Sequence, residues 1–146
     1  MDIDGQDPSA IWYYLFLNSD FGLIHRLVQA HIVVHSRGKI VSEVTINGGT
    51  SRVDLLDKNT NTIWEVKHGM RNHALAQWQV STYIGGEITS TKATGKVSGY
   101  GAAGAFQDFF FLNCLGTTYF VYYYTPTPGV VIYEIKPFRK KCQMKK

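Results

Sequence analysis

Two acids and a lysine fall on two neighbouring predicted strands. Runs rich in β-branched, aliphatic and aromatic residues, 52–57 and 62–67, flank a short turn of Lys, Asn and Thr, a pattern typical of an antiparallel hairpin. If the last residue of the first run pairs with the first residue of the second, Asp54 lies opposite Glu65. Lys67 then shares a strand face with Glu65, because side chains alternate along a strand. The spacing predicts one cluster of two carboxylates and an ammonium group.

This cluster favours metal chemistry. Carboxylates that face each other at about 5 Å repel unless a cation lies between them. A divalent cation is the simplest solution, and hard oxygen ligands suit Mg²⁺ or Mn²⁺. The backbone carbonyl of Val66 is a candidate third oxygen ligand, and Lys67 would stand beside the ion, where a water could attack a phosphate. The alternative is that Asp54 and Glu65 are unrelated strand residues.

The order Asp54, then Glu65-Val66-Lys67, resembles the D…(D/E)xK signature of the PD-(D/E)xK nuclease superfamily. The resemblance implies an α/β fold with a restriction-endonuclease-like core, in which helices flank a central mixed β-sheet. It also implies metal-dependent hydrolysis of phosphodiesters, with Asp54, Glu65 and Lys67 as catalytic residues. The chain departs from the pattern at Val53, which stands where the superfamily's name has proline.

Two further motifs are similar to the RecB-like branch of that superfamily. Gln79 and Tyr83, four apart on a predicted helix, match its Q-x-x-x-Y element, which implies that they position substrate. Gly22 and His25 match its G-x-x-H element, which implies that His25 is a metal ligand. The alternatives are a hydrogen-bonded Gln79–Tyr83 pair at the edge of a buried helix face, and a helix-face histidine without a metal.

A second copy of the E-x-K spacing, Glu134-Ile135-Lys136, provides an internal control. A Pro- and Gly-containing turn and an apolar run precede it, so no acid stands on a hairpin partner. We interpret this copy as a solvated strand face.

The remaining pattern predicts a single α/β domain over residues 1–146. Its predicted elements are helices over 8–17, 20–36 (with Asp20 as N-cap) and 71–84, a strand over 40–46, and a final hairpin of Thr117–Tyr124 with Val130–Lys136. Residues 85–104 contain six glycines and are either a flexible loop or an irregular hairpin. The tyrosines of the final hairpin either stack on nucleobases or pack within the sheet.

Composition restricts the other possibilities. Two cysteines 28 positions apart are not a disulfide framework and favour a reducing environment. No segment predicts a membrane span or a signal peptide, so we expect a cytoplasmic site of action. No structural zinc site is predicted from the remaining histidines and the cysteines, which are His31, His35, His68, His73, Cys114 and Cys142.

The net charge of +4 comes from the C-terminal end of the chain. Residues 136–146 contain six of the fifteen basic residues and no acid, so residues 1–135 carry a net charge of −2. Such an end either contacts phosphates or is a solvated charge run. Charge alone therefore does not establish a nucleic-acid partner.

Taken together, the motifs predict a metal-dependent endonuclease that acts on nucleic acid, with DNA favoured over RNA. The rival predictions are a transfer-RNA-cleaving nuclease of the same fold, and a catalytically silent module that binds nucleic acid or a partner. The small size and basic end resemble nuclease domains of bacterial polymorphic and contact-dependent toxins. That resemblance implies a cognate immunity protein as partner and the cytoplasm of a target cell as the place of action.

Overall fold

A computed structural model describes residues 22–114 and 116–138, which form a seven-stranded mixed β-sheet with a helix on each face. The predicted α/β class with a central mixed sheet and flanking helices is confirmed. The helices are α1 (Leu23–His35) and α2 (His73–Tyr83), and the strands are β1 (Ile40–Ile46), β2 (Ser51–Asp57), β3 (Thr62–His68), β4 (Gly99–Tyr100), β5 (Gln107–Cys114), β6 (Thr117–Thr127) and β7 (Val130–Phe138). The predicted helix over 8–17 and the predicted N-cap Asp20 lie outside the described residues.

Strand β3 is the centre of the sheet. The strand order is β1-β2-β3-β7-β6-β5, and the short strand β4 also pairs with β3. On one side β3 runs antiparallel to β2. On the other side it runs parallel to β4 at its start and to β7 from Glu65 onwards. The sheet therefore joins the predicted hairpin of residues 52–67 to the C-terminal hairpin through the strand that carries Glu65 and Lys67.

Helix α1 covers one face of the sheet because its apolar residues recur every four positions. Ile24, Val28 and Ile32 are buried along that stripe and pack against Trp64 and Val66 of β3, among others. Each such fully buried side chain contributes about 1.5–3 kcal/mol to folding. Because α1 also carries His25 and Gln29, this packing fixes the position of both polar side chains over the sheet.

The ends of both helices have local causes. Helix α1 begins after Gly22 and ends at Ser36, whose hydroxyl donates to the Val33 carbonyl at 2.7 Å. Arg37 then takes a left-handed conformation with φ of 56°, which ends the helix close to the end of the predicted span, residue 36. Helix α2 is shorter than the predicted 71–84, because a single 3₁₀ turn occupies Met70–Asn72.

The C-terminal half of the chain differs most from the prediction. Residues 85–104 form an irregular hairpin, with an antiparallel bridge between Glu87 and Lys96, and then β4. Strand β5 has no counterpart among the predicted strands, because its core is a continuous aromatic run that shows no alternation. The final hairpin is as predicted but longer, and it turns at Gly129, where an added Cβ would lie 2.9 Å from a Val80 methyl group.

The tyrosines of β6 divide between the two faces of the strand. Tyr119 and Tyr123 are buried in the cluster under α1, whereas Tyr122 and Tyr124 stack on each other on the opposite face. Two of the predicted tyrosines are therefore core residues. Within residues 22–114 and 116–138, no helix combines the length and apolar character that crossing a membrane requires.

Candidate functional site

The β2–β3 hairpin has the predicted register. Leu55 pairs with Trp64 and Leu56 with Ile63, and continuing this register places Asp54 opposite Glu65. The turn is fixed by Asp57, whose carboxylate accepts a hydrogen bond from the Asn59 N–H at 2.8 Å. Local turn chemistry thus sets which acids face each other.

At Asp54, the side chain rather than a backbone carbonyl of β2 accepts a hydrogen bond from β3. Its Oδ2 accepts a hydrogen bond from the Val66 N–H at 2.8 Å, so the carboxylate lies between β2 and β3. The N–H and C=O of one strand residue point to the same side. The Val66 carbonyl, predicted to be a metal ligand, therefore lies on the side of β3 that faces Asp54.

Glu43 and Asp54 face each other where β1 and β2 lose their regular alternation. Val53 and Leu56 pack in the same cluster under α2, although residues three apart in a regular strand lie on opposite faces. Strand β1 shows the same shift at Glu43, whose φ is 56°. A left-handed conformation at a non-glycine residue costs about 1–2 kcal/mol and persists only where surrounding contacts enforce it.

Those contacts are polar and come from α1 and β2. Gln29 Nε2 donates to Glu43 Oε2 at 2.7 Å and to the Asp54 carbonyl at 3.1 Å. The Arg52 Nε lies 2.8 Å from Glu43 Oε1. Gln29, although buried, thus ties α1 to both strands at the point where the two acids meet.

The predicted acids and lysine lie around one polar cavity of about 200 Å³. The residues that line it are His25, Arg26, Gln29, Glu43, Arg52, Asp54, Glu65 and Lys67. His25 Nε2 is 3.6 Å from Asp54 Oδ1, and one ligand atom each from His25, Glu43 and Asp54 lie within 4.8 Å of one another. The structure brings together Asp54, Glu65, Lys67 and His25 as predicted, and it adds Glu43.

Glu43 is the residue that sequence reasoning missed. The strand over 40–46 was predicted, but its partner was not. A turn at Asn47–Gly49 that pairs this strand with β2 places Glu43 opposite Asp54. The glycine pair that ends the strand was the signal that could have indicated this hairpin.

Glu65 is the most deeply buried acid of the site. It is 6% exposed, and its Oε1 accepts no hydrogen bond from any described residue. Burial raises the pKa of Glu65 to about 9, the nearby Asp54 charge adds to the increase, and Lys67 opposes it. Without a cation, Glu65 therefore carries a proton at neutral pH.

Helix α2 brings Tyr83 near the two facing acids. Burial raises the pKa of Tyr83 to about 12, and the charges of Glu65 and Asp54 add to the increase. Gln79 lies one turn earlier, and its Oε1 is buried without a hydrogen bond from any described residue, including Tyr83. Both residues lie outside the lining of the 200 Å³ cavity.

The second E-x-K copy lies on β7. Glu134 pairs with Tyr122 of β6, and the Lys136 Nζ lies 5.7 Å from the centre of the Tyr122 ring. Neither residue lines the cavity around Asp54. Glu134 is half-buried and Lys136 is exposed, in accord with a largely solvated strand face.

Comparisons with protein-family models, curated proteins and solved structures found no match for this chain.

Proposed function

We propose that the protein is a metal-dependent phosphodiesterase, an endonuclease acting on DNA, with a restriction-endonuclease-like core of the PD-(D/E)xK type. The observation that carries this proposal is Glu65. It is buried, faces Asp54, and has a carboxylate oxygen that accepts no hydrogen bond from the described residues. A buried acid beside Asp54 ionises only at a cost in stability, so it keeps its proton unless a cation takes the proton's place between the two carboxylates. This supports a metal site.

The donor set fits Mg²⁺ or Mn²⁺. Asp54 and Glu65 would hold the ion, with the Val66 carbonyl and His25 as further ligands, and Glu43 extends the set of oxygen donors. When bound, the ion supplies charge stabilisation to the phosphate and raises the acidity of a nearby water.

Lys67 is the side chain that we propose to act on the attacking water and on the phosphate. It lines the same cavity as the acids, so its ammonium group can donate a hydrogen bond to the attacking water. Attack of the water on phosphorus forms one P–O bond and breaks another, and the leaving oxygen takes up a proton. The fixed charge of Lys67 stabilises the negative charge that grows on the phosphate oxygens.

Binding of the phosphate backbone is supported by three cations around the cavity. Arg26 and Arg52 line it together with Lys67, and Arg26 is exposed. Their charge offsets that of the acids for an approaching phosphate. The raised pKa of Tyr83 keeps its hydroxyl protonated, so Tyr83 can donate a hydrogen bond to the substrate backbone beside Gln79.

The biological setting that we propose rests on resemblance. The small size and the basic C-terminal residues resemble toxin nuclease domains, and this resemblance is the ground for proposing DNA in the cytoplasm of a target cell as the substrate and a cognate immunity protein as the partner. Transfer RNA is the alternative substrate, because the cavity is lined by groups that would contact phosphate in either nucleic acid.

The test is incubation of supercoiled plasmid and, in parallel, purified transfer RNA with the protein and Mg²⁺, with and without chelator. We expect nicking and linearisation of the plasmid that chelator abolishes. Asp54→Asn, Glu65→Gln and Lys67→Ala should each be inactive, while Glu134→Gln, the matched acid of the second copy, should retain activity.

Equal activity of Glu65→Gln and wild type, or cleavage that persists in chelator, would contradict the proposal. Cleavage of transfer RNA alone would keep the site and change the substrate. Circular dichroism of each variant separates loss of chemistry from loss of fold.

A further inference from the structure

A second group of metal-binding side chains lies between α1 and the edge strand β5, apart from the acids. His31 and His35 are four residues apart on α1, so their rings lie on the same helix face, with centroids 4.2 Å apart. Asp108 comes from β5. One ring nitrogen of each histidine and one Asp108 oxygen lie within 4.8 Å of one another.

The distances fit a zinc ion after a small adjustment. A tetrahedral ion with ligand bonds of about 2.0–2.2 Å needs ligand atoms about 3.3 Å apart. The three ligand atoms lie within 4.8 Å of one another, so they must approach by at most about 1.5 Å, a shift that the exposed His35 side chain at the last residue of α1 can supply.

The hydrogen bonds determine the tautomer of His35 and are compatible with the tautomer of His31 in which Nδ1–H donates to Tyr123 and Nε2 has the lone pair. The His35 Nδ1 lies 2.8 Å from the His31 carbonyl oxygen, which can only accept, so Nδ1 carries the proton and Nε2 has the lone pair when the ring is neutral. The His31 Nδ1 lies 2.6 Å from the Tyr123 hydroxyl. Metal-bound histidines are typically held in this way, with the second ring nitrogen bonded to an oxygen.

We propose that His31, His35 and Asp108 form a second metal site, suited to Zn²⁺ or a similar nitrogen-seeking ion, that joins α1 to β5. Two imidazoles and one carboxylate favour zinc over magnesium, in contrast to the oxygen-rich cluster at Asp54. His35 and Asp108 also line a cavity of about 600 Å³, so a water or a small ligand can reach the fourth position. The site does not depend on the proposed nuclease function.

The test is a Zn²⁺ titration by calorimetry in excess Mg²⁺, in an Asp54→Asn background that weakens the oxygen-rich site. We expect one zinc per chain, with a Kd that rises at least tenfold in His35→Gln and in Asp108→Asn. His73→Gln is the matched control, because His73 is the first residue of α2, where it bonds to Thr127, and this variant should bind zinc as the parent does.

An unchanged zinc affinity in His35→Gln would overturn the proposal. Cysteine binding is the main alternative, and Co²⁺ substitution distinguishes it. We expect tetrahedral Co²⁺ bands without thiolate charge-transfer absorption, whereas a thiolate band that disappears in Cys114→Ser or Cys142→Ser would assign the ion to cysteine and also overturn the proposal.

Discussion

The two E-x-K segments lie on neighbouring parallel strands, β3 and β7, but their surroundings differ. Glu65 is 6% exposed and faces Asp54 of the adjacent strand β2, whereas the half-buried Glu134 faces Tyr122 of the adjacent strand β6. Lys67 lines the cavity of the acids, and Lys136 lies over the Tyr122 ring. Identical spacing therefore gives two different environments, and the residue on the adjacent strand determines whether the motif can bind a cation.

The sharpest test of this comparison removes each lysine in turn. Lys67→Ala should reduce plasmid cleavage by about 100-fold or more, because it removes a positive charge beside the proposed reacting phosphate. Lys136→Ala should change the rate by less than about twofold. Initial cleavage rates at saturating Mg²⁺ measure both effects. A larger loss of activity in Lys136→Ala than in Lys67→Ala would assign the chemistry to β7 instead of β3.

A second test compares stabilisation by metal. Mg²⁺ or Mn²⁺ should raise the free energy of unfolding of the wild type by about 2.7 kcal/mol at a metal concentration of 100 Kd, because the facing carboxylates of Asp54 and Glu65 bind the ion only in the folded state. Asp54→Asn should shrink this effect, and Glu134→Gln should keep it. Scanning calorimetry with and without metal measures the stabilisation of each protein. Equal stabilisation of wild type and Asp54→Asn would argue against the site.

The third test uses pH in the absence of metal. The pKa of Glu65 rises from 4.5 to about 9 on folding, chiefly because of burial, so the folded state binds a proton that the unfolded state releases. This contribution to stability is complete below about pH 4.5 and is lost as pH rises through about 9. Glu65→Gln should flatten the decline in the free energy of unfolding between pH 5 and 9, while Glu134→Gln should leave the decline in place. Denaturant titrations at a series of pH values measure it. The same pH dependence of the free energy of unfolding in wild type and Glu65→Gln would refute this assignment.

The smallest expected effect concerns His25. As a nitrogen ligand, it would contribute more to binding of Mn²⁺ than of Mg²⁺. His25→Ala should then raise the metal concentration needed for half-maximal cleavage several-fold, with partial recovery at high metal. A helix-face histidine would instead lower stability modestly and leave the metal titration curves superimposable.

Sequence patterns predicted the local features of this fold well. The hairpin register that opposes Asp54 and Glu65 depends on one short turn, and the end of α1 depends on Ser36 and the residues after it. Both are decided by neighbours in the chain. Local signals were therefore sufficient to place the lysine and the facing acids on adjacent strands.

Features that depend on distant contacts were not predicted. The parallel pairing of β3 with β7 joins Glu65 to Val130, far along the chain, and no local pattern encodes it. The left-handed backbone at Glu43 depends on Gln29 and Arg52, which meet it only in the folded protein. The burial of Glu65, which raises its pKa, also requires the completed sheet.

The hydrogen bond from the Val66 N–H to the Asp54 carboxylate has a practical consequence. Because an acid rather than a backbone carbonyl accepts this bond, the electron density at the amide follows the charge state of the carboxylate. In a proton–nitrogen NMR spectrum, the Val66 resonance should therefore shift when Asp54 binds a cation, whereas amides that donate to a backbone carbonyl, such as that of Gly69 bonded to Tyr133, should shift less. A single backbone signal can thus report occupancy of the site in solution, without substrate and without turnover.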